Sequence, residues 1–344
     1  MSPRKNTSVI AGKAKQSIFL NAVKDGAIKG CKTALMLYKI VLPVYVAVAF
    51  LGHTGLYLWI ADRLEPFVRI FGLPGEAVVP LIVGVFSDEY ATVAAMSPFS
   101  FTMAQITVIA MFNLYFHSIP VETVISQKIG IPPLKIAIFR IVMAVITGII
   151  IAYLAAVFLG GTAPAFSFGF GAAGPESALA VFSGQDLNNP LTDLGTLLPE
   201  LGFGVLMMAL TLVRVMIPMM IVIELMFAFN IVEILAKKLS FVCRLFKIHR
   251  DALIPLLVGF LLGITYGAGA ILEINNKKPL SKRDLWLLGV FLYSCHGIIE
   301  ATYLFAVAGG SAIFISGVRL LIAVVVTAVM ARLPFPRENR ISGA

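Results

Sequence analysis

The phrase VVPLIVG at residues 78–84 returns as LIPLLVG at residues 253–259, an offset of 175. Upstream, LYKIVLP (37–43) returns at the same offset as LVRVMIP (212–218), so no gap separates the two matches. Further on the offset becomes 179, pairing His117 with His296 and Arg140 with Arg319. A fixed offset held over this length identifies an internal duplication. Each copy holds a long apolar span (about 34–61 and 201–236) and a short amphipathic connector (62–74 and 237–250). An apolar segment with a polar or Gly-rich middle follows (77–97 and 252–273), then a segment carrying a histidine (102–128 and 285–308) and a long closing helix (134–159 and 312–333).

Composition places both copies in lipid. Of 344 residues 59% are hydrophobic and 13% charged, with a mean hydropathy of +0.94, whereas soluble domains are about half apolar and a quarter charged. Apolar runs of helical length recur from Leu35 to Arg332, and the ten-residue alternation of outer-membrane barrels is absent. The expected fold is an all-α polytopic membrane protein. Its parts are an interfacial amphipathic segment over 1–33, repeats at 34–159 and 201–333, a loop over 160–200 and a tail over 334–344. The first of these interleaves Lys13, Lys15, Lys24 and Lys29 with apolar residues, the pattern of a helix lying on the bilayer surface. It has no compact apolar stretch ending in a small-residue cleavage site, so a removed signal peptide is not expected. Cys31, Cys243 and Cys295 show no paired spacing, and no disulfide framework is expected.

The charge distribution decides how the copies are related. If 77–97 and 252–273 are re-entrant hairpins and the N-terminus is inside, segments 1–39, 123–140, 237–251, 274–284 and 332–344 are cytoplasmic. They carry 23 of the 27 Lys and Arg residues, while the 160–200 loop carries none. Eight full crossings would instead scatter the basic loops over both sides, against the positive-inside rule. The reading is therefore an inverted repeat in an inner (cell) membrane, with both termini cytoplasmic. This also accounts for the net charge of +9 without nucleic acid as a partner. Inverted repeats with interrupted helices and a site at mid-membrane are characteristic of secondary transporters.

Both histidines fall deep in their spans. Helix from Met103 to His117 rises about 21 Å, and from Leu285 to His296 about 16 Å, against a hydrocarbon layer of about 30 Å. FHSIPVE (116–122) and CHGIIE (295–300) each follow the histidine with a glutamate, and Pro120 and Gly297 predict a helix break beside each. Ionisable groups at such depth are expensive unless paired or solvated, which makes function the default reading. The expected binding or coupling-ion set is Asp88, Glu89, His117, Glu122, Thr265, Tyr266, His296 and Glu300. The alternative for either His–Glu pair is a structural one, two groups a turn apart pinning a helix break. Glu89 corresponds to Ile264 and so is not demanded by the shared fold. Gly267 and Gly269 read equally as close backbone approach to a ligand or as tight helix packing. Arg140 and Arg319 read as anchors snorkelling to headgroups. Arg214 requires a partner, with Glu224, Glu233 or a hairpin carbonyl as candidates.

HSIPVETVISQKIG (117–130) and SCHGIIEATYLFAVAGG (294–310) resemble the membrane proteins grouped as nucleoside-recognition, or Gate, domain proteins. That group includes the spore-maturation membrane pair and the gates of bacterial ferrous-iron transporters. The element order over about 34–333 resembles the core of concentrative nucleoside transporters. Where those carry a GQTE-type tip on the first hairpin, this chain reads SDEY (87–90). The resemblance implies alternating access and, in places, assembly into dimers or trimers. The function expected is secondary transport of a small polar solute, nucleoside-like in the family sense, coupled to H+ or Na+ and without a resident cofactor. One alternative is a divalent-metal permease for Fe, Mn or Zn using His117, Glu122, His296 and Glu300. Another is a non-transporting assembly factor with the 160–200 loop as its interaction surface. No phosphate-cradling, zincin or nucleophile-elbow motif is present, so an enzyme is not expected.

Overall fold

The computed structural model describes residues 3–52, 55–159 and 194–335, and every regular element among them is helical. The 160–193 part of the long loop, and all but the first two residues of the tail, lie outside the described residues. Helices α1 (Pro3–Gly52) and α2 (Gly55–Arg69) lead into α3 (Val78–Phe86), α4 (Glu89–Met96), α5 (Met103–Phe116), α6 (Ile119–Lys128) and α7 (Pro133–Phe158). The second half runs through α8 (Leu194–Ala228), α9 (Ile231–Lys238), α10 (Phe241–Phe246), α11 (Leu253–Leu262), α12 (Ile264–Lys277), α13 (Lys282–Ser294), α14 (Ile298–Val307) and α15 (Arg319–Met330). Five helical stretches are long and apolar enough to cross a membrane: Gln16–Leu51, Met103–Lys128, Pro133–Phe158, Leu201–Ala228 and Lys282–Val307. The protein is an all-α, multi-pass membrane protein.

Its surface fits that class. Along α7, Ile138, Val142, Ile146, Ile149 and Tyr153 are exposed at helical spacing, while Ile136, Arg140, Met143, Thr147 and Ile151 are buried on the other face. A continuous exposed apolar stripe of this length is a lipid-facing surface.

The duplication is visible element by element. The 3-10 turns Gly75–Ala77 and Arg250–Ala252 start α3 and α11, and each of these helices folds back on its successor as a hairpin, α3 on α4 and α11 on α12. At 9 and 10 residues, α3 and α11 rise only about 14–15 Å, half of what a crossing needs. The turn of the first hairpin is Ser87 with Asp88, whose carboxylate accepts the Ala91 N–H at 2.8 Å as an N-cap. In the second, the packing alternative holds for Gly267: a Cβ there would lie 2.6 Å from the Gly259 Cα, so the two backbones touch. In each copy the first hairpin arm packs against both halves of the interrupted helix, α3 on α5 and α6, α11 on α13 and α14.

Helices α1 and α8 carry the repeat-equivalent phrases LYKIVLP and LVRVMIP and form the most extensive helix pair. Gly26 abuts Ile221, Gly30 abuts Ile217, and the Tyr38 hydroxyl donates to the Ala209 carbonyl at 2.9 Å. Contacts move down α8 as they move up α1. Equivalent helices therefore run antiparallel, the relation an inverted repeat demands.

This pairing corrects the reading of 1–33 as a separate surface segment. α1 is one unbroken 50-residue helix, and Gly26 and Gly30 are buried against α8 in the small-residue spacing of membrane helix pairs. Lys29, one of the lysines that suggested a surface helix, pairs with Glu224 on α8 at 2.6 Å. Glu224 is thereby taken, and Arg214 stands exposed instead of engaging it.

Candidate functional site

The fourth segment of each copy is a helix broken at its histidine. α5 stops at Phe116, His117 is extended (φ −70°, ψ 157°), Ser118 is left-handed (φ 49°), and α6 restarts at Ile119. The second copy repeats this: α13 stops at Ser294, Gly297 is left-handed (φ 55°) and α14 restarts at Ile298. Pro120 sits in the first turn of α6, where a missing N–H is harmless, so the break falls just ahead of it. The hairpins hold the breaks open. Ser118 N–H donates to the Gly84 carbonyl at 2.9 Å, and its repeat equivalent Gly297 donates to the Gly259 carbonyl at 3.1 Å.

Two arginines close the freed helix ends. Arg140 Nε donates to the Tyr115 carbonyl at 3.0 Å and its Nη2 to the His117 carbonyl at 2.5 Å. Arg319 Nε donates to the Ser294 carbonyl at 3.0 Å and its Nη2 to the His296 carbonyl at 3.0 Å. With relative exposures of 1% and 0%, neither reaches headgroups, which overturns the snorkelling expectation. They replace the hydrogen bonds that the last turns of α5 and α13 lose at the break, where a buried carbonyl has no water to turn to.

The duplication copies the histidines and arginines but not the carboxylates. At the 179 offset Glu122 corresponds to Ala301 and Glu300 to Val121, so the two His–Glu phrases are not equivalent pairs. The structure puts the difference to use. His117, Glu122 and His296 are 3%, 4% and 7% exposed, and both imidazoles approach the same carboxylate oxygen. His117 Nε2 lies 3.2 Å and His296 Nε2 3.5 Å from Glu122 Oε1, and the two rings are 5.3 Å apart. The other oxygen, Glu122 Oε2, lies 3.0 Å from Arg140 Nη1. Glu89 Oε2, from the first hairpin, is 3.5 Å from His117 Nε2. Glu300 instead turns to the first hairpin and accepts the Tyr90 hydroxyl. Tyr293 closes the group by donating to the Glu122 carbonyl at 2.9 Å while the Arg140 guanidinium stacks over its ring.

All eight residues singled out from the sequence, Asp88, Glu89, His117, Glu122, Thr265, Tyr266, His296 and Glu300, line one cavity of about 250 Å³. Four helix N-termini border it, those of α4, α6, α12 and α14, and Asp88, Glu89, Glu122 and Glu300 lie at or within a turn of three of them. The positive ends of the helix dipoles favour carboxylates in these positions. Tyr90, Tyr293, Arg140 and Arg319 were not among the predicted site residues. Only the repeat equivalence of the two arginines pointed to a shared task.

Hairpins and interrupted helices of both copies thus meet, in a multi-pass membrane protein, at one cavity lined by ionisable side chains. The chain belongs to the Gate (nucleoside recognition) family, whose model matches residues 34–132 and 209–310, more than half of the sequence and once in each repeat. It is 28% identical over 287 residues to the uncharacterized membrane protein YvoD of Bacillus subtilis (strain 168), covering 83% of this chain and 86% of that protein. No solved structure matches.

Proposed function

We propose that the protein is a secondary transporter of a small polar or charged solute, driven by an H+ or Na+ gradient across a cell membrane. Its two inverted halves would expose the central cavity to each side in turn, with both termini cytoplasmic. The observation that carries this reading is the convergence, inside an apolar helical body, of both hairpin turns and both helix breaks on one cavity lined by ionisable side chains. Gate-family membership and the antiparallel α1–α8 pair support it. Glu89, Glu122, His117, His296 and Glu300 act as the binding and coupling groups, with Thr265 and Tyr266 at the second hairpin lining the approach. The cavity, about 250 Å³, falls below the roughly 300–1,000 Å³ of sites for drug-sized ligands, which favours a small solute or an ion.

The test is uptake into proteoliposomes of labelled nucleosides, nucleobases and divalent cations under imposed H+ and Na+ gradients. At least one should accumulate above protein-free vesicles and lose that accumulation in Glu89→Gln. Vesicles indistinguishable from empty ones with every solute and both gradients would refute the proposal.

A further inference from the structure

The hydrogen bonds behind the two imidazoles fix what their front nitrogens can do. His117 Nδ1 lies 3.0 Å from the Asn113 carbonyl and His296 Nδ1 2.8 Å from the Leu292 carbonyl. A carbonyl only accepts, so both Nδ1 atoms carry hydrogen, and in the neutral rings both Nε2 lone pairs point forward. What they face is carboxylate: Glu122 Oε1 for both rings, and Glu89 Oε2 as well for His117. Lone pairs aimed at lone pairs in a buried site require something positive between them.

Protons satisfy this poorly. One proton on His117 Nε2 leaves the His296 lone pair still facing Glu122. A second would place two buried imidazolium rings 5.3 Å apart, beside the Arg140 guanidinium. A single cation serves both imidazoles and Glu122 at once. Metal-bound histidines characteristically donate their other N–H to a backbone carbonyl, which orients the ring, as both do here. The spacing agrees: metal–N and metal–O bonds of about 2.0–2.1 Å in a tetrahedral site set donors about 3.3–3.4 Å apart. The two imidazole–Glu122 contacts are 3.2 and 3.5 Å, and the donor atoms of His117, Glu122 and His296 all lie within 4.8 Å of one another. Arg140 holds only Oε2 of Glu122 and leaves Oε1 for the ion.

We infer that His117, His296 and Glu122 form a three-donor binding site for a first-row divalent metal ion at the centre of the membrane domain, with Glu89 of the first hairpin beside His117. Two imidazoles and a carboxylate without a thiolate are a borderline donor set, suited to Zn2+, Fe2+, Mn2+ or Co2+ over Mg2+, Ca2+ or Cu+. The site is built across the duplication, with two donors from the first copy and one from the second. As substrate the ion would be the cargo of the transport proposed above, on which that part of the inference rests.

The experiment uses full-length protein purified in detergent, stripped with a chelator and titrated with Co2+, reading the visible ligand-field absorption. The expected result is one Co2+ per chain with the intense bands of four-coordinate cobalt, displaced by Zn2+ and not by Mg2+. Glu122→Gln removes the carboxylate shared by both imidazoles without touching the histidine–carbonyl bonds. It should weaken Co2+ binding by more than the roughly 10–100-fold typical of losing a mere supporting contact. His296→Gln should abolish the absorption while the protein elutes from size exclusion as the wild type does. A wild-type protein that binds no Co2+, or one whose binding survives both substitutions, overturns the site and leaves solute transport standing. Stoichiometric binding without 65Zn2+ uptake into proteoliposomes keeps the site and removes the ion as cargo.

Discussion

Arg140 and Arg319 perform the same hydrogen bonding in the two copies, yet only one has a carboxylate, and their replacement should separate the two contributions. Arg140→Met removes two bonds to the end of α5 and strands Glu122, 4% exposed, without its cation. Breaking a buried pair from one side costs about 3–5 kcal/mol, because the remaining charge stays desolvated. At roughly 2–4 °C per kcal/mol for a large domain, the melting temperature should fall by at least about 6 °C. Arg319→Met also removes two charge-assisted bonds, but it eliminates a buried guanidinium whose Nη1 has no hydrogen-bond partner. The desolvation relieved offsets much of the loss, leaving a net cost of roughly 0–2 kcal/mol. Adding Glu122→Gln to Arg140→Met takes away the stranded charge and should recover about 1–3 kcal/mol as coupling between neighbours. Arg140 Nη1 meets Glu122 as an ion contact outside hydrogen-bond angles, which favours the lower end of that range. Intrinsic-fluorescence melting in detergent, with Trp286 as one reporter, measures all four proteins. Equal losses for the two arginines, or a double variant no better than Arg140→Met, would refute the reasoning.

Gly267→Ala puts a Cβ 2.6 Å from the Gly259 backbone and should cost about 1–3 kcal/mol by forcing the second hairpin apart, whereas Gly269→Ala, with nothing within 4 Å, should melt as the wild type does. Gly297→Val places a branched side chain at φ 55°, so a loss of at least about 1–2 kcal/mol is expected in the same melting assay. Ala in place of both Gly26 and Gly30 drives α1 away from α8; a cysteine cross-link between positions 38 and 209 that forms in the parent should then form more slowly. At the surface, the Lys278 ammonium lies 2.7 Å from Asp251 Oδ2 and holds its carboxyl below the ordinary range, with His249 adding to the effect. A depressed folded-state value stabilises above the unfolded carboxyl range near pH ~4 and is lost as pH falls through the folded value. Asp251→Asn should therefore lower stability slightly at neutral pH and converge with the wild type in acid, flattening the acid limb of the profile.

The duplication, the hairpins and the helix breaks were legible because each leaves a linear trace: a constant offset, polar or glycine residues inside an apolar run, and Pro or Gly beside a deep histidine. The eight predicted cavity residues do share one cavity for the same reason, since depth along a helix follows from counting. Direction around a helix does not. Arg140 and Arg319 look like interfacial anchors by position, and only packing reveals that they point inward to carbonyls freed by a break 20 or more residues earlier. α1 failed in the opposite way, because its lysines outweighed Gly26 and Gly30, the small-residue spacing that places it against α8. The mismatch of the glutamates was present in the offset all along. Its consequence, two imidazoles sharing one carboxylate oxygen, needed the third dimension.

The partition of the central side chains bears on how such a molecule could let go of what it holds. Glu89, His117 and Glu122 all travel with the first copy, whereas His296 and Glu300 belong to the second, joined to the first through Tyr90, Tyr293 and the shared oxygen of Glu122. A sliding motion between the halves would therefore not dismantle the nest. It would withdraw one wall from it, leaving a wider tray that still carries most of the donors. Grip would weaken in a single graded step, set by how far His296 retreats, and the ancestral symmetry of the fold would survive only in the hinges.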